Sequence, residues 1–496
     1  MRLVDAQKLL VSALIVVVIF GWPKFRREKR VIKNYLEFLK SKQNTAIDAG
    51  FEVDDLNPKL YEYEHDIVRW ALKKGKSAIF AECGLGKTPM QLEFANQVCR
   101  HTGKSVLVVA PLSVAHQTIR EGEKFDIHAS YAPDMSAVTT PGIYTTNYDR
   151  IGNFDASAFA GVVLDESSIL KDYTSATKQA LIDMFKFTPY KLCCTATPSP
   201  NDYVELGNHA EFLGIMSRTE MLATYFVHDG GETQKWRLKG HAQEAFFAWV
   251  ASWACCMTKP SDLGYEMSGF DLPELRLHEC ICRSERIEAD DGQIGFLPQV
   301  SMSLMERRRA RRDSLDIRTK RAAAIAASDD TPCILWCDLN AEQDELEQIL
   351  GEKAFSIRGA TPDDKKIEYE RRWREGDRKI LISKPAVYGF GMNWQHCNRE
   401  VFVGLSDSFE AYYQAVRRCW RYGQENPVDV YIVISDAEGA VKANIERKQA
   451  DAIRLTHELV RYTKDILSAD VRRTTRITET YYANERMNVP QWMKLA

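Results

Sequence analysis

Ala81 to Thr88 reads AECGLGKT, and its flanks decide what such a turn can be. Ser77-Ala78-Ile79-Phe80 before it is a short apolar run, the pattern of a buried parallel strand. PMQLEFANQVCR after it carries apolar residues at helical spacing. A strand, a glycine-bearing turn, Gly-Lys-Thr and a helix are the context of a phosphate-binding loop. The backbone N–H groups of such a turn wrap an anion, and the helix N-terminus adds a favourable dipole. In this reading Gly84 and Gly86 shape the loop, Lys87 reaches the β- and γ-phosphates, and Thr88 holds Mg²⁺ through its hydroxyl. The first position is Ala81 rather than glycine. In isolation the stretch also reads as an ordinary glycine-rich turn, so the rest of the chain must decide.

Four further apolar runs follow: Ser105 to Pro111, Ile143 to Asp149, Gly161 to Glu166 (GVVLDE) and Tyr190 to Pro198 (YKLCCTATP). Strands alternating with helical stretches predict a parallel sheet covered by helices on both faces. Ligands of such sheets bind beyond the carboxyl ends of the strands. Lys87, Ser113, Asp165, Glu166 and Thr195 all fall there. A second alternating set begins at CILWC (Cys333 to Cys337) and continues with KILIS, EVFVGL and VDVYIVIS. The fold class is therefore α/β with two parallel-sheet domains, the second without a phosphate loop of its own. The expected division is an N-terminal extension over 1–54, a first lobe over 55–200, a helical insertion and linker over 201–315, a second lobe over 316–440 and a helical tail over 441–496. The basic block Arg307 to Arg312 reads first as a solvated face, and as a phosphate contact only if it lines the groove of the motifs.

Hydrolysis of a nucleotide needs Mg²⁺, a group that orients water, and positive charge on the transferring phosphoryl. Asp165 is placed to hold the metal shell and Glu166 to orient the water. QAVRRCWRYGQ, Gln414 to Gln424, spaces Arg418 and Arg421 three apart, as on one face of a helix. Arginines supplied across a cleft make hydrolysis depend on domain closure.

The chain has 496 residues, enough for two or three domains, and its 45% hydrophobic and 27% charged residues are those of a soluble globular protein. A net charge of −3 makes any nucleic-acid surface a local patch. Twelve cysteines form no pair of CxxC motifs, which argues against structural zinc and for a reducing cytoplasm. Leu9 to Trp22 is apolar but shorter than the roughly 20 residues that span a bilayer. It reads as a non-native or over-extended N-terminus, a membrane-associating anchor, or a packed helix. None of these moves the catalytic part out of the cytoplasm.

Six motifs in order resemble those of superfamily-two helicases, nearest the Swi/Snf-type DNA translocases and their compact phage and bacterial relatives. AECGLGKT stands for D-E-M-G-L-G-K-T, PLSVAHQTIREGEKF for P-x-S-x-x-x-N-W-x-x-E, and DESSILKD for D-E-G-H-x-x-K-N. TATP at Thr195 to Pro198 stands for T-G-T-P, GFGMN for G-x-G-L-N, and QAVRRCWRYGQ for Q-A-x-D-R-x-x-R-x-G-Q. The resemblance covers about residues 55 to 440. It implies two RecA-like P-loop NTPase lobes that close on ATP, with Gln414, Arg418 and Arg421 completing the site and Gly389 and Gly391 near the nucleotide. It also implies a nucleic acid, preferentially duplex DNA, held by Ser113 and Thr146 in the first lobe and by Ser383, Lys384 and Asn393 in the second. RNA is the runner-up track, and a nucleotide-gated clamp with little turnover is the alternative from another class. No nuclease constellation is present, so a nuclease or replication partner would be a separate chain. The departures are Ser168 for a histidine, Thr118 for a tryptophan, Arg417 where an acidic residue is common, and Glu64 or His65 where an adenine-reading glutamine is expected.

Overall fold

Each apolar run becomes a strand buried on both faces, because helices cover both sides of each sheet. The computed structural model describes residues 48–172, 174–228, 236–282, 312, 314–388, 393–405, 408–435 and 439–472. The first lobe holds β1 (Lys76–Ala81), β2 (Ser105–Ala110), β3 (Ala129–Tyr131), β4 (Ile143–Asn147), β5 (Phe159–Asp165) and β6 (Tyr190–Thr195). A short antiparallel pair, β7 (Phe226–His228) and β8 (Trp236–Leu238), stands apart from it. With β9 (Ala254–Met257) the first sheet has seven parallel strands in the order β3-β4-β2-β5-β6-β1-β9. The second lobe holds β10 (Leu275–Cys282), β11 (Cys333–Cys337), β12 (Ala354–Ser356), β13 (Ile380–Ser383), β14 (Arg399–Val403) and β15 (Val428–Ser435). They form a six-stranded parallel sheet in the order β10-β15-β14-β11-β13-β12. The described residues thus form two lobes, each a parallel sheet flanked by helices.

Neighbouring positions in the first sheet assemble the chemistry. β5, β6 and β1 are adjacent, with Asp165 in register with Cys194 and Phe80 with Thr195. The phosphate loop, the Asp165-Glu166 pair and Thr195 therefore leave the same edge side by side.

The 201–315 stretch differs from the expected helical insertion. It does contain the helices Leu206–Leu213, Arg218–Tyr225 and Gln243–Ala251. Ala254–Met257, however, is an edge strand of the first sheet and Leu275–Cys282 an edge strand of the second. Both are short or partly exposed, so neither shows the long apolar run by which buried strands are recognised. The block 307–311, the apolar segment 9–22, Gly389 and Gly391 lie outside the described residues. Among the described residues no helix is long and apolar enough to cross a membrane.

The helix Gly439–Val471 follows the last strand of the second lobe yet returns across the first. Tyr203 Oη donates to Glu458 at 2.8 Å, Phe247 stacks on Tyr462 at 4.7 Å, and Trp70 Nε1 donates to Asp470 at 2.9 Å. In the second lobe three buried tryptophans, each with its N–H bonded, fasten the segment before the arginines. Trp336 donates to Glu400, Trp394 to Glu370 and Trp373 to the Lys379 carbonyl. Trp394 N in turn donates to the Arg418 carbonyl at 3.0 Å.

Candidate active site in the cleft between the lobes

The turn after β1 adopts a conformation that suits glycine. Gly84 and Gly86 have φ of 88° and 67°, and Gly86 caps the helix Lys87–Thr102. A Cβ on Gly86 would lie 1.7 Å from Glu64 Oε1, so another residue here would be strained in its dihedral and would push the Glu64 carboxylate aside. Lys87 Nζ donates to the carbonyls of Ala81 (2.8 Å) and Glu82 (3.1 Å), which keeps it folded over the loop. Thr88 faces the same cleft as Asp165. A hydroxyl and one carboxylate are the sparse oxygen set of a Mg²⁺ site that keeps waters and phosphate oxygens. Among the described residues no group of three or more His, Cys, Asp or Glu is arranged to hold a metal.

Asp165 is buried at the end of β5. Its Oδ1 accepts from Gln91 Nε2 at 2.8 Å and from Glu166 N at 3.0 Å. Burial pushes its carboxyl up to about 6, against the lowering effect of the Gln91 bond. Glu166 is one of two non-glycine residues with positive φ among the described residues, at 56°. That left-handed turn costs roughly 1 kcal/mol or more, and it aims the carboxylate along the cleft. Glu166 Oε1 accepts from Thr195 Oγ1 (2.9 Å), Gln414 Nε2 (3.0 Å) and Ser168 Oγ (3.3 Å). Ser168, the departure from the motif, thus still bonds the carboxylate.

The second lobe closes the cleft. Gln414, Arg418 and Arg421 line a cavity of about 360 Å³ together with Lys87, Thr88 and Glu166. The two arginines do not share a helix face as expected. The helix Phe409–Val416 ends before them, and tight turns carry Arg417 to Gly423 because Cys419 turns into the core and Gln424 bonds the Cys397 and Cys419 carbonyls. Arg418 donates through Nε to the Gln414 carbonyl (2.8 Å) and through Nη2 to Gln414 Oε1 (3.1 Å). Burial and the adjacent Arg418 lower Arg421 to about 10, which leaves it a cation at neutral pH.

Of the two candidates for the base, Glu64 reaches the cleft, whereas His65 bonds the Asn57 carbonyl at 2.9 Å. Glu64 accepts from Tyr61 N (2.9 Å) and Tyr63 Oη (3.3 Å), and burial pushes its carboxyl up to about 7. A group raised from 4.5 to about 7 favours the fold fully only below the lower value, and this contribution is lost as pH rises through 7. Glu64→Gln should therefore raise the unfolding free energy at pH 8 by on the order of 3 kcal/mol, and with it the melting midpoint, and the gain should shrink toward pH 5. Thermal melts at the two pH values check this, and a variant that melts lower at pH 8 would refute it.

The residues expected on a nucleic-acid face do not come together. Thr146 is fully buried within β4, because both faces of that strand are covered. Ser383 is buried likewise and donates to the Ile357 carbonyl at 3.0 Å. Asn393 instead lines the cleft that holds Lys87 and Glu166. Lys384 donates to the Asp338 carbonyl (2.9 Å) and to Asn340 Oδ1 (2.8 Å), and Ser113 lies in the first turn of the helix Leu112–Lys124. Gln91, Glu82, Glu410 and Tyr413 belong to the site but were not anticipated. For Glu410 and Tyr413 the signal was the spacing 410, 413, 414, 417, which lies on one helical face.

Residues 319–423 match the helicase conserved C-terminal domain. Over 451 residues the chain is 22% identical to an uncharacterised ATP-dependent helicase of Bacillus subtilis (strain 168), YqhH, a similarity that covers 79% of this chain and 78% of that protein. Among solved structures it is similar to the Sulfolobus solfataricus SWI2/SNF2 ATPase core in complex with dsDNA, at 18% identity and a TM-score of 0.38, over 85% of this chain and 96% of that one.

Proposed function

We propose that this chain is a superfamily-two helicase of the Swi/Snf-like kind, a nucleic-acid-dependent ATPase that moves along duplex DNA; the match of residues 319–423 to the helicase conserved C-terminal domain supports the helicase part of that reading. The observation that carries the reading is one cleft lined at once by Lys87, Thr88, Asp165 and Glu166 of the first lobe and by Gln414, Arg418 and Arg421 of the second. In this reading Lys87 binds the β- and γ-phosphates, Glu166 orients the attacking water, and Arg418 and Arg421 balance charge on the transferring phosphoryl. Thr88 and Asp165 would hold Mg²⁺, which when bound neutralises phosphate charge. The cavity beside Glu64, Tyr61 and Tyr63 would take the base.

DNA as the track rests on the motif resemblance. Contacts to such a track would be mainly to phosphate and insensitive to sequence. All twelve cysteines are free thiols, which fits a reducing cytoplasm, of a bacterium or a phage-infected cell.

Steady-state ATP hydrolysis with no nucleic acid, single-stranded DNA, duplex DNA and RNA tests the reading. Duplex DNA should raise turnover about tenfold or more, the scale of a coupling free energy of 1–3 kcal/mol. Stimulation by RNA alone would move the assignment to an RNA helicase. Bound ATP without turnover in any arm would make the chain a nucleotide-gated clamp.

A further inference from the structure

One face of the helix Phe409–Val416, with the residue after it, touches the first lobe at Lys171, at Glu166 and at the start of the phosphate loop. Glu410 pairs with Lys171, and Gln414 donates to Glu166. Tyr413 Oη donates to Glu82 Oε1 at 2.6 Å, and Arg417 Nη2 donates to the Cys83 carbonyl at 3.2 Å and lies 3.5 Å from Glu82. Glu82 and Cys83 open the phosphate loop itself. Glu82 Oε1 also accepts from Cys83 N at 3.1 Å, so a single carboxylate oxygen joins the loop backbone to the second lobe.

Arg417 is 1% exposed. A guanidinium so buried needs compensation, and it has Glu82, the Cys83 carbonyl and the rings of Tyr413, Trp420 and Tyr422 at 5.0 to 5.9 Å. Tyr422 fixes the same strand of contacts from the other side by donating to the Thr258 carbonyl. Gly84 packs against that ring, its Cβ position 3.1 Å from Tyr422 Cδ2. A solvated surface pair would not be walled in this way. Cys83 and Gly84, the loop residues touched by Arg417 and Tyr422, line the same cavity as Lys87, Thr88 and Arg418, the very next residue.

We propose that Arg417 and Tyr413 are positioning residues that tie the first turn of the phosphate loop, through Glu82 and the Cys83 carbonyl, to the segment carrying Arg418 and Arg421. Closing the cleft and presenting the arginines are then one event rather than two. The inference rests on the ATPase reading above and assigns its closure contact.

The test uses the full chain with Arg417→Met, Arg417→Lys, Tyr413→Phe, Glu82→Gln and the double variant Arg417→Met/Glu82→Gln. Two readouts are needed: kcat with saturating ATP and stimulating nucleic acid, and equilibrium binding of a fluorescent ATP analogue. Arg417→Met should lower kcat about tenfold or more with analogue affinity held within about threefold, the pattern of an interaction made on the way to the transition state. Arg417→Lys should recover part of that loss. The double variant should be no slower than Arg417→Met, since both changes break one contact. Tyr413→Phe deletes only a hydroxyl and should lower kcat in the same direction with an unchanged melting midpoint. Equal losses in affinity and kcat, or multiplied losses in the double variant, would overturn the proposal. Small-angle scattering of nucleotide-free protein tests the tie without turnover: Arg417→Met should be more extended than the wild type, and identical profiles would overturn the proposal. A wild type with no turnover but with that difference in extension would sink the ATPase reading while leaving the interlobe tie.

Discussion

Lys87→Ala should lower ATP hydrolysis by at least about a hundredfold, the scale for removing one preorganised donor from a site where charge develops. The ammonium is the one cation that the phosphate loop itself brings to the cavity, and it already sits over the loop on the Ala81 and Glu82 carbonyls. Its replacement therefore has two separable effects. Without nucleotide, two charge-assisted hydrogen bonds vanish, each worth roughly 1.5–3 kcal/mol at most, and the unfolding midpoint should fall only slightly because water reaches the loop. With nucleotide, a positive charge is missing beside the β- and γ-phosphates, and turnover should collapse. Lys87→Arg should not rescue, since the planar fork cannot reproduce a compact ammonium held on two adjacent carbonyls. Hydrolysis by Lys87→Ala within tenfold of wild type would remove the loop from the mechanism.

What the residues disclosed in advance divides along physical lines. Strands buried on both faces leave uninterrupted apolar runs, so β1, β2, β5, β6 and β11 were legible from Phe80, Val108, Val163 and Leu335 and their neighbours. Lys87, Asp165 and Glu166 were legible because a phosphate loop and a strand-terminal acid pair are local patterns, and the adjacency of β1, β6 and β5 brings them together. Edge strands hide: β10 reads LRLHECIC, in which Arg276, His278 and Glu279 interrupt the apolar residues and Leu277 and Ile281 are exposed, so no continuous apolar run marks it. Arg418 and Arg421 were found by spacing but assigned the wrong local shape. Their position depends on Trp394 and Gln424, whose bonds to the 418 and 419 carbonyls halt the helix at Val416. Thr146 and Ser383 show the limit of carrying a role over by motif, since the pattern marks a strand end but not which side of it is covered. The contacts of Glu82 with Tyr413 and Arg417 join residues more than three hundred positions apart in the chain. No local pattern encodes such a pair.

Arg418→Ala and Arg421→Ala should each lower kcat by about a thousandfold, the lower end of the range for an arginine acting on a transferring phosphoryl. The two reach the cavity by different routes, which makes their side effects different. Arg418 is wholly buried and holds Gln414 by two bonds, and Gln414 in turn bonds Glu166. Removing Arg418 should therefore loosen the Glu166 carboxylate as well as delete a charge, and Gln414→Ala should reproduce only the first, smaller part. Arg421 lies near Arg418 and feels the Glu121 carboxylate of the opposite lobe. Its loss should relieve the repulsion between its half-buried guanidinium and that of buried Arg418, so Arg421→Ala should melt no lower than the wild type while turnover falls. ATP affinity should change by less than about tenfold in both, because their charge counts most when the phosphoryl group is in flight. Single-turnover hydrolysis beside equilibrium binding separates these effects. If both variants kept kcat within tenfold, the positive charge would have to come from elsewhere, and the second lobe would close the cleft without taking part in the chemistry.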